Sequence, residues 1–309
     1  MKIVRQATVI LLVIFSLADL IAQPITLSKE EMMFFTQMWE GERFDDGRPK
    51  VPDDILKRMK NVSIEEAWQV LRNEGYHNQF EGDWQTINDE VFVGRALTTQ
   101  YMPSRPLVSE NILEEGHDNG RIGAMNSWPI DMLQQGDVYV ADLFGKHIDG
   151  TLIGDNLGNS IFAKSGTGVV FDGSVRDLEG LSKIDGFNAF VRGFHPSFLR
   201  ETMLTGINTM IRIGEATVLP GDVVLAKKEG VIFVPPHLAE KVVFTSEVVS
   251  LRDEFGHQKL RDGTYTPGQI DGKWSKEITD DFLSWIDENP EKLNMPKQQI
   301  VDYFKNRTY

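Results

Sequence analysis

A chain of 309 residues, 41% of them hydrophobic and 10% aromatic, holds enough apolar material for one large domain or two small ones. With no cysteine, it has no disulfides, thiolate metal sites, cysteine nucleophiles or cysteine-linked lipids. A formal net charge of −14 without a basic stripe makes a surface that repels nucleic acid.

Lys2 and Arg5 precede an uncharged apolar run from Ala7 to Leu17, then small and polar residues up to Ala22-Gln23. That layout predicts a secretory signal over 1–22, cleaved near Ala22, and a periplasmic or secreted protein. The apolar run is about half the roughly 20 residues that cross a bilayer as a helix, so no permanent membrane anchor is expected. Residues 23–60 form an N-terminal arm. Helical spacing over Ser28 to Trp39 places Ser28 as N-cap ahead of Glu30 and Glu31. "EGERFDDGRPKVPDD" then breaks the periodicity and reads as a loop or an arm wrapped over something, carrying Arg43 and Arg48. Helix returns over 53–74, with a second start at Ser63 and Glu66 three residues on, the pattern of a capping box.

From Val91 the texture becomes β-rich: "VFVGRALTTQYM", "GDVYVADLFG", "GVVFDG", "NAFVRG", "TMIRIG", "GDVVLAKKEG" and "VIFVPP", with helices at 155–165 and 237–250. This order predicts a layered α/β domain over 61–250. Gly136-Asp137 and Gly221-Asp222 open two similar segments, read as the same turn into a buried strand used twice. The extension 251–309 is polar, with a loop-like leader and one helix, "SKEITDDFLSWIDE", whose Ile278, Phe282 and Trp285 share a face.

The stretch "GDNLGNSIFAKSGTGVVFDGSVRD" (154–177) carries the candidate chemistry. Asp155 sits where a strand-like run gives way, after Gly154, to a helix expected to run to Ser165 and stop at Gly166; it reads as an N-cap. An apolar strand then leads to Arg176-Asp177. Strand, helix and parallel strand bring both strand ends to one sheet edge, where open α/β sheets bind ligands. The backbone N–H groups of Asn156 and Leu157 are expected to face the same space, ready for an anion. Arginine there clamps a carboxylate in two-pronged fashion, and a hydrated Mg²⁺ or Mn²⁺ needs only one or two protein carboxylates. The same residues also read as a helix cap and a surface ion pair, and spacing alone leaves both open.

The six histidines show no ligand spacing, and no HExxH, nucleophile elbow or phosphate-cradling loop occurs. Arg105, His195 and the run Asn126-Ser127-Trp128 follow or flank strand-like runs within reach of the edge. Lys164 belongs on the exposed helix face.

Asp155, twenty intervening residues and Arg176-Asp177, together with "VGRALTT", "GDVYVADLFG" and "VLPGDVVLAKKEGVIFVPP", resemble the RraA-like family over about 60–250. That family joins the regulator of ribonuclease activity A to the 4-hydroxy-4-methyl-2-oxoglutarate aldolases. The resemblance implies a swivelling β/β/α-type fold assembled as a homotrimer, and a metal-dependent lyase cleaving a 4-hydroxy-2-oxo acid to pyruvate through an enolate, with oxaloacetate decarboxylation alongside. It implies Asp177 as ligand to Mg²⁺ or Mn²⁺, Arg176 holding the pyruvyl group, and Gly154, Asp155, Asn156 and Leu157 forming the substrate loop, with Asp155 orienting water at the metal. The alternatives are a non-catalytic exported binding or regulatory protein of the same fold, and another enolate-forming enzyme such as a decarboxylase or isomerase.

Overall fold

Val138 and Val140 face one side of a central sheet and Tyr139 and Ala141 the other, yet all four are buried. Both faces are covered, which is why this strand reads as a continuous apolar run. The computed structural model describes residues 25–306, so the expected signal segment 1–22 lies outside the described residues. Among the described residues no helix is long and apolar enough to cross a membrane.

The chain opens with α1 (Lys29–Phe35), α2 (Asp53–Met59) and α3 (Ile64–Asn73). Ser28 and Ser63 both close capping boxes, with Glu31 and Glu66. The first helix stops at Phe35, short of the expected Trp39, with Thr36 as C-cap. Two short strands, β1 (Phe80–Glu81) and β2 (Gln85–Thr86), precede β3 (Phe92–Pro103), α4 (Pro106–Asp118), α5 (Trp128–Met132), β4 (Asp137–Thr151), α6 (Asp155–Ser165), β5 (Val169–Val175), α7 (Leu178–Leu181) and β6 (Ala189–Phe194). Then come β7 (Thr202–Ile207), β8 (Ile211–Ile213), β9 (Ala216–Val218), β10 (Val223–Lys227), β11 (Gly230–Val234) and α8 (Ala239–Arg261). The chain continues through α9 (Pro267–Ile270), α10 (Lys276–Glu288) and α11 (Lys297–Asn306).

The strands order as β1-β11-β10-β3-β4-β5-β6-β2, with β7 added beside β3. Parallel pairing joins β3 to β4, β4 to β5 and β5 to β6. Helices α2, α3 and α8 cover Val93, Val223 and Leu225, and α5 and α6 cover Leu97 and Tyr139. The separate β8–β9 hairpin packs through Ile211, Ile213, Ala216 and Val218 on the opposite face, against Phe92, Val138 and Val170. The result is the expected layered α/β architecture.

The two Gly-Asp segments form the same turn. Gly136 and Gly221 take φ values of 80° and 85°, the left-handed region in which glycine alone is unstrained. Each following aspartate accepts a backbone N–H three residues back, Asp137 Oδ2 from Gln134 at 3.0 Å and Asp222 Oδ2 from Leu219 at 2.8 Å.

The arm wraps as expected, pinned by arginines. Arg43 donates to Thr36, Trp39 and Gly47 carbonyls, closing the turn. Arg48 is fully buried, donating to Asp46 Oδ2 at 2.8 Å and Asp137 Oδ2 at 3.1 Å. Arg95 donates to the Val51 carbonyl at 2.8 Å and to Asp53.

The leader of the extension differs from its loop-like expectation. Residues 252–261 continue α8, and position 250 lies inside one unbroken helix. Phe255 and Trp274 join Phe282, Trp285 and Ile286 in a satellite core. The apolar residues there are sparse, and packing between distant segments rather than local periodicity holds the helix.

Candidate active site at the strand edge

The crossover forms as expected. β4 and β5 run parallel with α6 between them, and α6 ends at Ser165 before Gly166, whose φ is 66°. The second strand is longer than "GVVFDG" and reaches Val175, so Arg176 follows it directly. The Arg176 N–H donates to the Ile153 carbonyl at 3.1 Å, which ties the two strand ends together.

Two glycines give two carboxylates room. A Cβ on Gly154 would lie 2.1 Å from Asp177 Oδ2, and a Cβ on Gly180 would lie 2.5 Å from Asp155 Oδ2. Each aspartate thus leans on the backbone of the other's segment, in space that only glycine leaves open. Asp177 itself takes φ 58°, ψ 41° ahead of α7, a left-handed conformation that aspartate tolerates better than most residues.

Arg176 stands beside this pair. Its Nε is 3.8 Å from Asp177 Oδ2, a loose contact, and its guanidinium carbon is 4.9 Å from the centre of the Phe198 ring. The side chains of Arg176 and Asp177 are 34% and 43% exposed, so the rim opens to solvent. A pair this loose and wet contributes little stability, leaving both groups available to a ligand.

Local details depart from the sequence reading. Gly154, in extended conformation, is the N-cap, and Asp155 is the first helical residue. The Asn156 N–H is spent on Asp155 Oδ1 at 2.8 Å and does not await an anion. Asn156 is exposed, while Leu157 is half-buried and packs on the core. Ahead of Gly154, the pairing of β4 with β5 jumps from Asp142–Asp172 to Lys146–Gly173 to Thr151–Ser174. Residues between these pairs bulge outward, leaving Phe144 and Ile148 exposed.

Of the other candidates, His195 lies at the edge, its backbone N–H donating to the Val175 carbonyl at 3.1 Å, with Nδ1 accepting from the Ser197 N–H at 3.2 Å as a turn brace. Asn126 Nδ2 donates to the Leu152 carbonyl at 2.8 Å, supporting the approach to Gly154. Trp128 is core, Ser127 donates to the Ala124 carbonyl at 2.7 Å, and Arg105 is the exposed N-cap residue of α4. Lys164 pairs with Asp131 on the exposed face at 3.1 Å. Sequence reasoning missed Phe198 and Gly180. An aromatic in the loop after a strand ending at the same edge, and the glycine closing "RDLEG", were the available signals.

Among the described residues no group of three or more acidic or histidine side chains is placed to hold a metal. The edge carries two carboxylates, Asp155 against Gly180 and Asp177 against Gly154, with Asp177 open to solvent. That donor set fits Mg²⁺ or Mn²⁺, hard cations that keep several waters and take one or two carboxylates, and does not fit zinc.

A model of the family described as RraA-like, Aldolase/RraA, matches residues 53–233. The chain belongs to the RraA-like family. Over 127 residues this RraA-like chain is 28% identical to a protein of Halalkalibacterium halodurans named as a 4-hydroxy-4-methyl-2-oxoglutarate aldolase, covering 41% of the chain and 60% of that protein. Over 170 residues it is 27% identical to Protein DlpA of Legionella pneumophila, covering 52% of the chain and 24% of DlpA. It spans less than two thirds of either relative. Among solved structures, an uncharacterized protein from Pseudomonas syringae pv. tomato superposes with TM-score 0.58 at 22% identity, covering 72% of the chain and 100% of that protein. Streptomyces coelicolor RraAS2, of the RNase ES inhibitor RraA protein family, superposes with TM-score 0.58 at 23% identity, covering 68% of the chain and 100% of that protein. These two likenesses concern the fold.

Proposed function

We propose that this RraA-like protein is a divalent-metal-dependent lyase that cleaves a 4-hydroxy-2-oxo acid to pyruvate. The observation that carries the reading is that Asp177 leans on Gly154 and Asp155 on Gly180, with Arg176 Nε 3.8 Å from Asp177 Oδ2 at a solvent-open rim. The relative named as an aldolase supports the reaction class. Asp177 would hold Mg²⁺ or Mn²⁺. A cation there supplies Lewis acidity toward the oxygen on which negative charge develops.

The chain's own residues do the rest. Arg176 clamps the substrate carboxylate through two N–H groups, and the Phe198 face restrains the guanidinium plane. The C3–C4 bond breaks, the 4-hydroxyl gives up its proton and becomes a carbonyl, and C3 gains a proton to yield pyruvate. Asp155 orients the water that delivers this last proton. The same charge stabilisation serves oxaloacetate decarboxylation, and no Schiff-base lysine is needed. Assembly as a homotrimer and export belong to the same reading.

The test follows pyruvate release from 4-hydroxy-4-methyl-2-oxoglutarate and from oxaloacetate with Mg²⁺, with Mn²⁺ and with chelator. Release is expected to require the metal and to fall roughly a hundredfold or more in Arg176→Ala. Release that is indifferent to both sinks the proposal. Thermal stabilisation by pyruvate without turnover supports a binding protein instead.

A further inference from the structure

On the side of the sheet carrying α1, a pocket of about 230 Å³ opens between the arm and the strand ends, its walls including Phe35, Trp39, Tyr76, Gln79 and His237. Asp222 belongs to the same lining, yet is only 2% exposed, and its Oδ1 has no hydrogen-bond partner. Among the described residues no lysine or arginine lines this pocket. The Tyr76 hydroxyl and His237 Nε2 are bonded to each other at 3.2 Å.

The molecule contains its own control for Asp222. Asp137 occupies the same place in the same Gly-Asp turn, is equally buried, accepts the equivalent backbone N–H and likewise has an Oδ1 without a hydrogen-bond partner, so the two differ in the cation alone. A cation answers Asp137, since Arg48 reaches it from the arm at 3.1 Å. Among the described residues no side chain does this for Asp222. A buried carboxylate without a cation is costly, and three aromatic side chains lining the same pocket suit a positive charge.

We infer that this pocket binds a small organic ammonium with an apolar body, its charged nitrogen meeting Asp222 as Arg48 meets Asp137. The overall charge of −14 favours the approach of such a ligand. Burial, working against the Leu219 N–H, pushes the Asp222 carboxyl up to about 8, so near neutral pH a bound ammonium takes the place of a proton released to solvent. Burial holds the neighbouring His237 imidazole below its ordinary range and the Tyr76 phenol above it, and Glu74 acts on both from nearby. His237 and Tyr76 are therefore neutral at that pH and do not repel the cation.

Calorimetry with benzylamine and butylamine against benzyl alcohol and butanol tests this in the full chain. At least one amine should bind and its alcohol should not, with affinity at least about tenfold weaker in Asp222→Asn. Asn keeps the acceptor for the Leu219 N–H. If that variant fails to fold, Trp39→Ala, at the pocket wall, should weaken the amine instead. Failure of both amines to bind, equal binding of amine and alcohol, or amine binding unchanged in the folded variant overturns the inference. The pocket does not share the strand-edge residues, so pyruvate release is a separate readout.

Discussion

Asp177 fills the space that a side chain on residue 154 would need, with its Oδ2 only 2.1 Å from where a Cβ on Gly154 would stand. The obstructing atom is the end of a short side chain, so Gly154→Ala is expected to push Asp177 aside and leave the backbone in place. Pyruvate release should fall at least about tenfold while stability changes by about 1 kcal/mol or less. Unfolding curves measured beside activity separate the two effects. Full activity in the variant would show that the position of Asp177 is immaterial.

Asp177→Asn keeps the shape of the rim but removes the charge that attracts a cation. Calorimetric titration with Mn²⁺ should show weaker binding than in the parent protein, and pyruvate release should fall with it. Asp155→Asn is expected to act differently, lowering turnover more than Mn²⁺ affinity, because its carboxylate leans on Gly180 and its proposed role is to orient water, not to hold the cation. Identical losses in both measurements for both variants would erase the distinction of roles.

Arg48→Met strands Asp137. Both side chains are wholly buried, and the arginine is the only cation bonded to that carboxylate among the described residues. Removing one partner of such a pair costs about 3–5 kcal/mol. Urea denaturation should show this loss. Asp137→Asn added to Arg48→Met should recover part of it, since the stranded charge is then gone.

Asp222 carries a pH signature set by its burial. Its folded-state value of about 8 lies above the ordinary 3.8, so between those limits the folded chain binds more protons than the unfolded one. Its contribution to stability is therefore greatest at low pH and declines as pH rises toward 8. Asp222→Asn, always neutral, should gain on the parent protein progressively from pH 5 to 8 in urea midpoints, then hold level. A difference that stays constant with pH would mean the carboxyl is ionised throughout.

The local signals proved reliable where structure is made by near neighbours. Ser28 with Glu31 and Ser63 with Glu66 form the capping boxes their spacing announces, and Gly166 stops α6. Strand β7, "TMLTGI", was not anticipated, because its pairing partner β3 lies about a hundred residues away and its own alternation is weak. The leader of the extension was misread for a similar reason. Phe255 earns its burial from Trp274, Phe282 and Trp285, which no window around it contains.

By itself the sequence determined that Asp155 and Arg176-Asp177 share one edge, because a strand, a helix and a parallel strand can return the chain only one way. It also determined the two Gly-Asp turns, which depend on glycine's freedom at one backbone angle. Only the tertiary structure decided what surrounds those groups. Arg48 reaches Asp137 across 89 residues, Phe198 lies against Arg176, and Asp222 has no cation beside it among the described residues. The reason is that neutralising a buried charge depends on which distant segment arrives beside it, and no local periodicity encodes that arrival.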